Sequence, residues 1–96
     1  MKQYLVTGYD YTDEGALERR MNTRAHHLDG VKALKANGNF IAAAAFLNEE
    51  GNMIGSVMML QFESEEELNA WKLAEPYVTQ SVWESVDVKP IKVAVI

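Results

Sequence analysis

Two apolar runs separated by five turn-forming residues constrain this chain more than any other feature. Asn39 to Leu47 reads N-F-I-A-A-A-A-F-L, Met53 to Glu63 reads M-I-G-S-V-M-M-L-Q-F-E, and N-E-E-G-N lies between them. Four consecutive alanines favour a helix by propensity. The first run is nevertheless short, bounded by Gly38 and a turn, and flanked by Phe40, Ile41, Phe46 and Leu47, which predicts a strand. With Gly51 in the connection, the two runs form a hairpin. Both are apolar at nearly every position rather than at alternate ones, the pattern of strands covered on both faces.

The remaining segments fit around that hairpin. Lys2 to Tyr9, rich in aromatic and β-branched residues, is a first strand. Asp13 is a plausible helix cap with Glu14 in the first turn. From Ala16 to Asn37, Leu17, Met21, Leu28, Val31 and Leu34 recur at helical spacing, and Gly38 is the stop signal. Gly30 inside this helix costs about 1 kcal/mol relative to alanine, so it marks either close packing on the sheet or a division of the helix. Ser64-Glu-Glu-Glu67 is a capping box, Glu67 reaching back to the Ser64 backbone N–H. Its helix runs to about Ala74 and ends at Glu75-Pro76, because the residue before proline is pushed out of the helical region. Tyr77 to Trp83 is a short turn or helix. Glu84 to Ile96 is a last strand that Pro90 confines to an edge or a bulge. The order β-α-β-β-α-β over a single domain, residues 1–96, predicts an α+β, ferredoxin-like fold with both helices on one face of an antiparallel sheet.

Two helices cover only one sheet face. The other would be a broad apolar patch on an isolated chain, so a second copy is expected to cover it as a homodimer; the alternative is that the terminal strand and loops fold over it. Small size points the same way, since 96 residues leave little surplus stability.

Charge and composition exclude several function classes. The net charge is −5, with no cysteine, so disulfides, thiolate metal sites and cysteine nucleophiles are absent. Residues 1–40 carry six Lys/Arg against five Asp/Glu, whereas residues 41–75 carry one against seven. Such a chain lacks the basic stripe of a nucleic-acid binder, and its positive charge, gathered on one helix, suits a small anion. No run approaches the roughly 20 apolar residues of a membrane helix, and Met1 to Tyr9 lacks the pattern of a signal peptide. The expected compartment is the cytoplasm, and no cofactor motif is present.

Chemistry concentrates in Glu18 to Leu28, E-R-R-M-N-T-R-A-H-H-L. Arg20, Arg24, His27 and Val31 lie along one helix line beside the apolar stripe, which predicts Arg24 and His27 half-buried at its edge. A histidine there can exchange a proton near neutral pH, and an adjacent arginine can grip a carboxylate at two points. The structural alternative pairs Arg20 and Arg24 with Glu18, Asp29 or an acid of the second helix, leaving His27 as a cap on the core. His26 points about 100° away and reads as solvated surface; with the two histidines facing apart, a shared metal ion is not expected. Glu75 is a carboxylate held at a fixed pre-proline helix end, either surface or the partner of a histidine. Ala42 to Ala45 leave room above the sheet for a ligand, or for close packing.

R-A-H-H-L (Arg24 to Leu28), F-E-S-E-E-E-L-N-A-W (Phe62 to Trp71), E-P-Y (Glu75 to Tyr77) and V-W-E-S-V-D-V-K-P (Val82 to Pro90) together resemble the YCII-related, or YciI-like, family over nearly the whole chain. That resemblance implies a ferredoxin-like fold that dimerises through its sheets, the dimeric α+β barrel arrangement. It also implies a site built on His27, preceded by Arg24, and on the acid Glu75. Glu75 stands where the family usually has the shorter aspartate, and Ala25-His26 stands where a proline and a small residue are common. Some relatives resemble muconolactone isomerases and chloromuconolactone dehalogenases, which move a proton or remove HCl from small lactone carboxylates.

Two functions follow as expectations. One is a small acid–base enzyme with His27 as base, Glu75 orienting it or acting as acid, Arg20 and Arg24 holding a substrate carboxylate, and Tyr77 lining the pocket. The other is a non-catalytic dimeric module that binds a small anion.

Overall fold

The computed structural model describes residues Met1–Ile96. Strand β1 spans Lys2–Asp10, helix α1 Ala16–Ala36, β2 Phe40–Leu47, β3 Met53–Phe62, α2 Glu65–Ala74, the short α3 Pro76–Thr79, and β4 Trp83–Ile91. The strands form one antiparallel sheet in the order β2-β3-β1-β4. This is the ferredoxin-like arrangement that the segment order predicts, with the alanine run as strand β2. Pro90 lies in β4, an edge strand, where its missing N–H leaves no unpaired partner inside the sheet. That strand ends at Ile91, five residues short of the chain end.

Alternation along the strands sorts the two faces. Tyr4 and Val6 of β1 and Met58, Leu60 and Phe62 of β3 point to the helix side, where they meet Leu34 of α1, Leu68 of α2 and Tyr77 of α3. The opposite face carries Leu5 and Tyr9 of β1, Val57 and Met59 of β3, and Ala42, Ala44 and Phe46 of β2. Neither the terminal residues nor the loops close over it: Tyr9 is 53% exposed, Phe46 38% and Met59 37%. Tyr9 and Phe46 stack across this face with ring centroids 5.9 Å apart. Between them sits Gly55, where a Cβ would lie 3.0 Å from the Phe46 ring.

Local signals explain most element ends. Asn48 Oδ1 accepts the backbone N–H groups of Glu50 and Asn52, both at 3.0 Å, and Gly51 takes φ 83° to close the hairpin. Ser64 Oγ accepts the Glu67 N–H at 3.2 Å, while the Glu67 carboxylate bonds the N–H of Glu63 rather than that of Ser64. Asp13 is not the cap of α1. Gly15 holds that position without a side-chain bond, and the Asp13 carboxylate is gripped by Arg19 at 2.9 and 3.1 Å. Gly30 neither divides α1 nor marks close packing, for the helix is continuous and nothing lies within 4 Å of where its Cβ would be.

The larger correction concerns which face of α1 is buried. The stripe of Leu17, Met21 and Leu28 is exposed, and the buried line is Ala16, Arg20, Thr23, His27 and Leu34. A helix normally buries its apolar side. Here the polar side is buried because Arg20 Nη1 and Nη2 and His27 Nδ1 find partners elsewhere in the chain and Thr23 Oγ1 donates to Arg19 O within the helix. These bonds offset much of the desolvation penalty and leave only Arg20 Nε without a partner.

Candidate active site

Glu75 and His27 come together through two local features. Pro76 occupies the first position of α3, holding Glu75 in an extended conformation with φ −62° and ψ 125°. That conformation lets the Glu75 side chain cap α3, its Oε1 accepting the Tyr77 N–H at 3.2 Å. The same Oε1 lies 2.5 Å from His27 Nδ1, with Glu75 2% and His27 7% exposed. A glutamate therefore spans the gap to the histidine in this chain. Because a carboxylate only accepts, Nδ1 carries the proton and donates it, leaving Nε2 as the ring's free acceptor. The Tyr77 ring stacks on the imidazole at 4.0 Å and 10°, and Trp83 meets it edge-on at 6.2 Å. These contacts fix the ring's tilt as well as its tautomer.

Arg20 is placed differently from the expectation that it holds a substrate carboxylate. Its Nη1 donates to both oxygens of Asp10, at 2.8 and 3.0 Å, and its Nη2 donates to Ser56 Oγ at 2.7 Å. The fork is thus occupied by the protein, and neither Glu18, Asp29 nor an acid of α2 is its partner. The guanidinium also lies over the Tyr77 ring, 4.8 Å from its centroid. Burial lifts the Asp10 carboxyl above its usual value of 3.8, and the hydrogen bond and charge of Arg20 offset that only in part. Burial likewise pushes the Tyr77 phenol above 10.0, against the pull of the Arg20 and Arg24 charges, so it stays a neutral hydroxyl near neutral pH.

Arg24 remains available. It is exposed rather than half-buried and, unlike Arg19 and Arg20, forms no ion pair. It stands at the rim of a cavity of about 170 Å³ bordered on its polar side by Arg20, His27, Ser56 and Tyr77. Leu28, Met53, Met58 and the alanines Ala43 and Ala45 form the apolar wall, with Ala44 between them facing the other side of the sheet. Part of the alanine run therefore opens space above the sheet. The volume suits one small ring. His26 is exposed and faces a separate hollow beside Arg19, Pro76 and Thr79. No cluster of three or more His, Cys, Asp or Glu side chains is arranged to hold a metal ion. A wider groove of about 560 Å³ runs past Tyr11 and Asn48; of its four acids, Asp10 and Asp13 are paired with arginines, while Glu14 and Glu84 form no ion pair.

Three residues of the site escape a reading by local pattern: Asp10, Ser56 and Trp83. Trp83 Nε1 donates to Ser56 Oγ at 3.2 Å, and its ring lies so close over β1 that a Cβ on Gly8 would come within 2.4 Å of it. Gly8 is required there because only a bare backbone lets the indole cross the strand. The readable sign for Ser56 was a hydroxyl inside a predominantly apolar strand. Asp10 offered no such sign.

The YCII-related domain family matches residues 3–92. The protein named YciI from Escherichia coli O6:H1 is 36% identical over 95 residues, covering 93% of this chain and 95% of that one. An uncharacterized protein of Haemophilus influenzae is 34% identical over the same span. The chain belongs to the YCII-related family. Among solved structures, the 5-chloro-2-hydroxyhydroquinone dehydrochlorinase of Burkholderia phenoliruptrix, in complex with 2,5-dihydroxybenzoquinone, superposes with a TM-score of 0.80 at 22% identity, over 94% of this chain and 93% of that one. A dimeric ferredoxin-like protein of unknown function from Jannaschia superposes at 0.55 and 18% identity, over 97% and 100% of the two chains. No helix is long and apolar enough to cross a membrane.

Proposed function

We propose that this protein is a small acid–base enzyme, of lyase, isomerase or dehalogenase type, acting on a small oxygen-rich ring or carboxylate. The observation that carries this reading is the 2.5 Å contact between His27 Nδ1 and Glu75 Oε1 in the wall of a ring-sized cavity. Glu75 holds one tautomer and stabilises the imidazolium that forms when Nε2 takes a proton. In a loss of HCl, that proton comes from the substrate, its bonding pair becomes the new double bond, and chloride leaves with the C–Cl pair. In an isomerisation the same imidazolium returns the proton to another atom. Neither step needs an oxidant or a reductant. Arg24, unpaired at the rim, draws in the anion, and Tyr77 serves as a wall and as a brace for the imidazole. The dehydrochlorinase activity of the B. phenoliruptrix neighbour lends support by its chemistry, although fold likeness alone does not define a reaction.

The test is chloride release from 5-chloro-2-hydroxyhydroquinone and proton exchange on small lactone carboxylates, preceded by a thermal-shift screen of small carboxylic acids. Turnover of a compound that raises the melting temperature is the expected result. Ligands that stabilise the protein yet emerge unchanged would instead establish the second reading, a non-catalytic small-anion module.

A homodimer through the outer sheet face belongs to the same proposal. Its support is the uncovered Tyr9, Phe46 and Met59 on that face and the dimeric state in which the Jannaschia neighbour is described. Light scattering should give twice the chain mass of 10.8 kDa; the single mass would overturn the inference.

A further inference from the structure

Ser56 is buried in β3 and borders the cavity, and its hydroxyl is surrounded in an unusual way. Arg20 Nη2 approaches the oxygen at 2.7 Å and Trp83 Nε1 at 3.2 Å. Guanidinium and indole N–H groups only donate. Both acceptor positions of the Ser56 oxygen are therefore filled, and the hydroxyl's own hydrogen has no acceptor among the protein's hydrogen bonds. The residues paired with Ser56 across the strands are Gly8 and Ala45, neither with a polar side chain. The space the side chain borders is the cavity shared with His27 and Tyr77.

We propose that Ser56 is a ligand-anchoring donor, its O–H directed to a carbonyl or ionised oxygen of the substrate. This rests on the cavity being the substrate's seat, as proposed above. Two donors, one of them cationic, withdraw charge from the hydroxyl oxygen and strengthen the bond it donates. Arg20 then acts through Ser56 as a positioning residue, while Asp10 keeps the guanidinium in place. The anion is held by Ser56 inside and Arg24 at the rim, and its ring lies along Ala43 and Ala45. An oxygen on Ser56 fixes which part of the ring faces His27, so Ser56 decides which proton is taken.

The experiment measures the dissociation constant of 2,5-dihydroxybenzoquinone by calorimetry, with turnover followed in parallel, for the parent, Ser56→Ala, Ser56→Cys and Ser56→Thr. A bond donated to a charged oxygen corresponds to roughly a 10- to 100-fold change in affinity. Ser56→Ala is expected to lose that much. Ser56→Cys keeps the volume with only a weak donor and should lose a similar amount, which covers the case in which the alanine variant does not fold. Ser56→Thr restores the hydroxyl and should bind within about threefold of the parent, a rescue that a purely structural role would not require. Equal affinity in the parent and the cysteine variant, or no binding by the parent, overturns the proposal. Binding that weakens as expected without any turnover sinks the catalytic reading and leaves the anchoring role standing.

Discussion

Replacing His27 with glutamine is expected to lower turnover about 100- to 10,000-fold, the usual contribution of a positioned general base, while the melting temperature moves by only a few degrees. Glutamine is chosen for a physical reason. Glu75 is 2% exposed, and His27→Ala would leave its carboxylate in the interior with the Tyr77 N–H as its only donor, so lost folding would be confused with lost chemistry. The glutamine amide can still present an N–H toward Glu75 and leaves the Tyr77 N–H undisturbed, yet it cannot accept a proton at neutral pH. Initial rates of chloride or proton release, with circular dichroism as the control for folding, decide the matter. A His27→Gln protein that turns over as fast as the parent would remove His27 from the mechanism and leave the pair with Glu75 as a structural contact.

The second large effect concerns stability. Asp10→Ala is expected to cost about 3–5 kcal/mol, because it leaves the Arg20 guanidinium buried with its charge partner gone. Both side chains are nearly inaccessible, 3% for Arg20 and 4% for Asp10, so solvent does little to screen the loss. For a domain of this size, 1 kcal/mol shifts the melting point by roughly 4–8 °C, and a drop of at least about 12 °C should be visible in a thermal scan. The double variant Asp10→Leu with Arg20→Met should be less destabilised than Asp10→Ala alone, since apolar groups of similar size leave no charge uncompensated. Losses that simply add, or a single variant within about 1 kcal/mol of the parent, would show the network to be worth far less than its geometry implies.

The same network explains which parts of this molecule a reader of the sequence can reach. Strand and helix order follows from periodicity, from the Asn48–Asn52 turn and from Glu75-Pro76, all of them local signals. The inward face of α1 does not. Judged within the helix, Leu17, Met21 and Leu28 are the obvious buried residues; they are exposed because Asp10, Ser56 and Glu75, at distances of 10, 36 and 48 residues along the chain, make it cheaper to bury Arg20 and His27. The two longer separations leave no mark in a window of a dozen residues, and the shorter one joins a strand to a helix across a turn, where no single periodicity connects the two. His27 and Arg24 stood out as the helix's chemically capable side chains. Glu75 rested on its place before proline and on family resemblance. Asp10 and Trp83 became visible only in three dimensions.

One atom, Glu75 Oε1, receives both the His27 ring and the first free N–H of α3. Loss of this acid would remove more than the partner of the His27 ring. The start of α3 would come loose, and with it the tyrosine that stacks on the imidazole, so loss of the pair would be felt in the fold as well as at the site. Any replacement of this carboxylate must therefore serve both contacts at once, and a shorter acid does so only if the backbone at the α2–α3 junction and α1 come closer together.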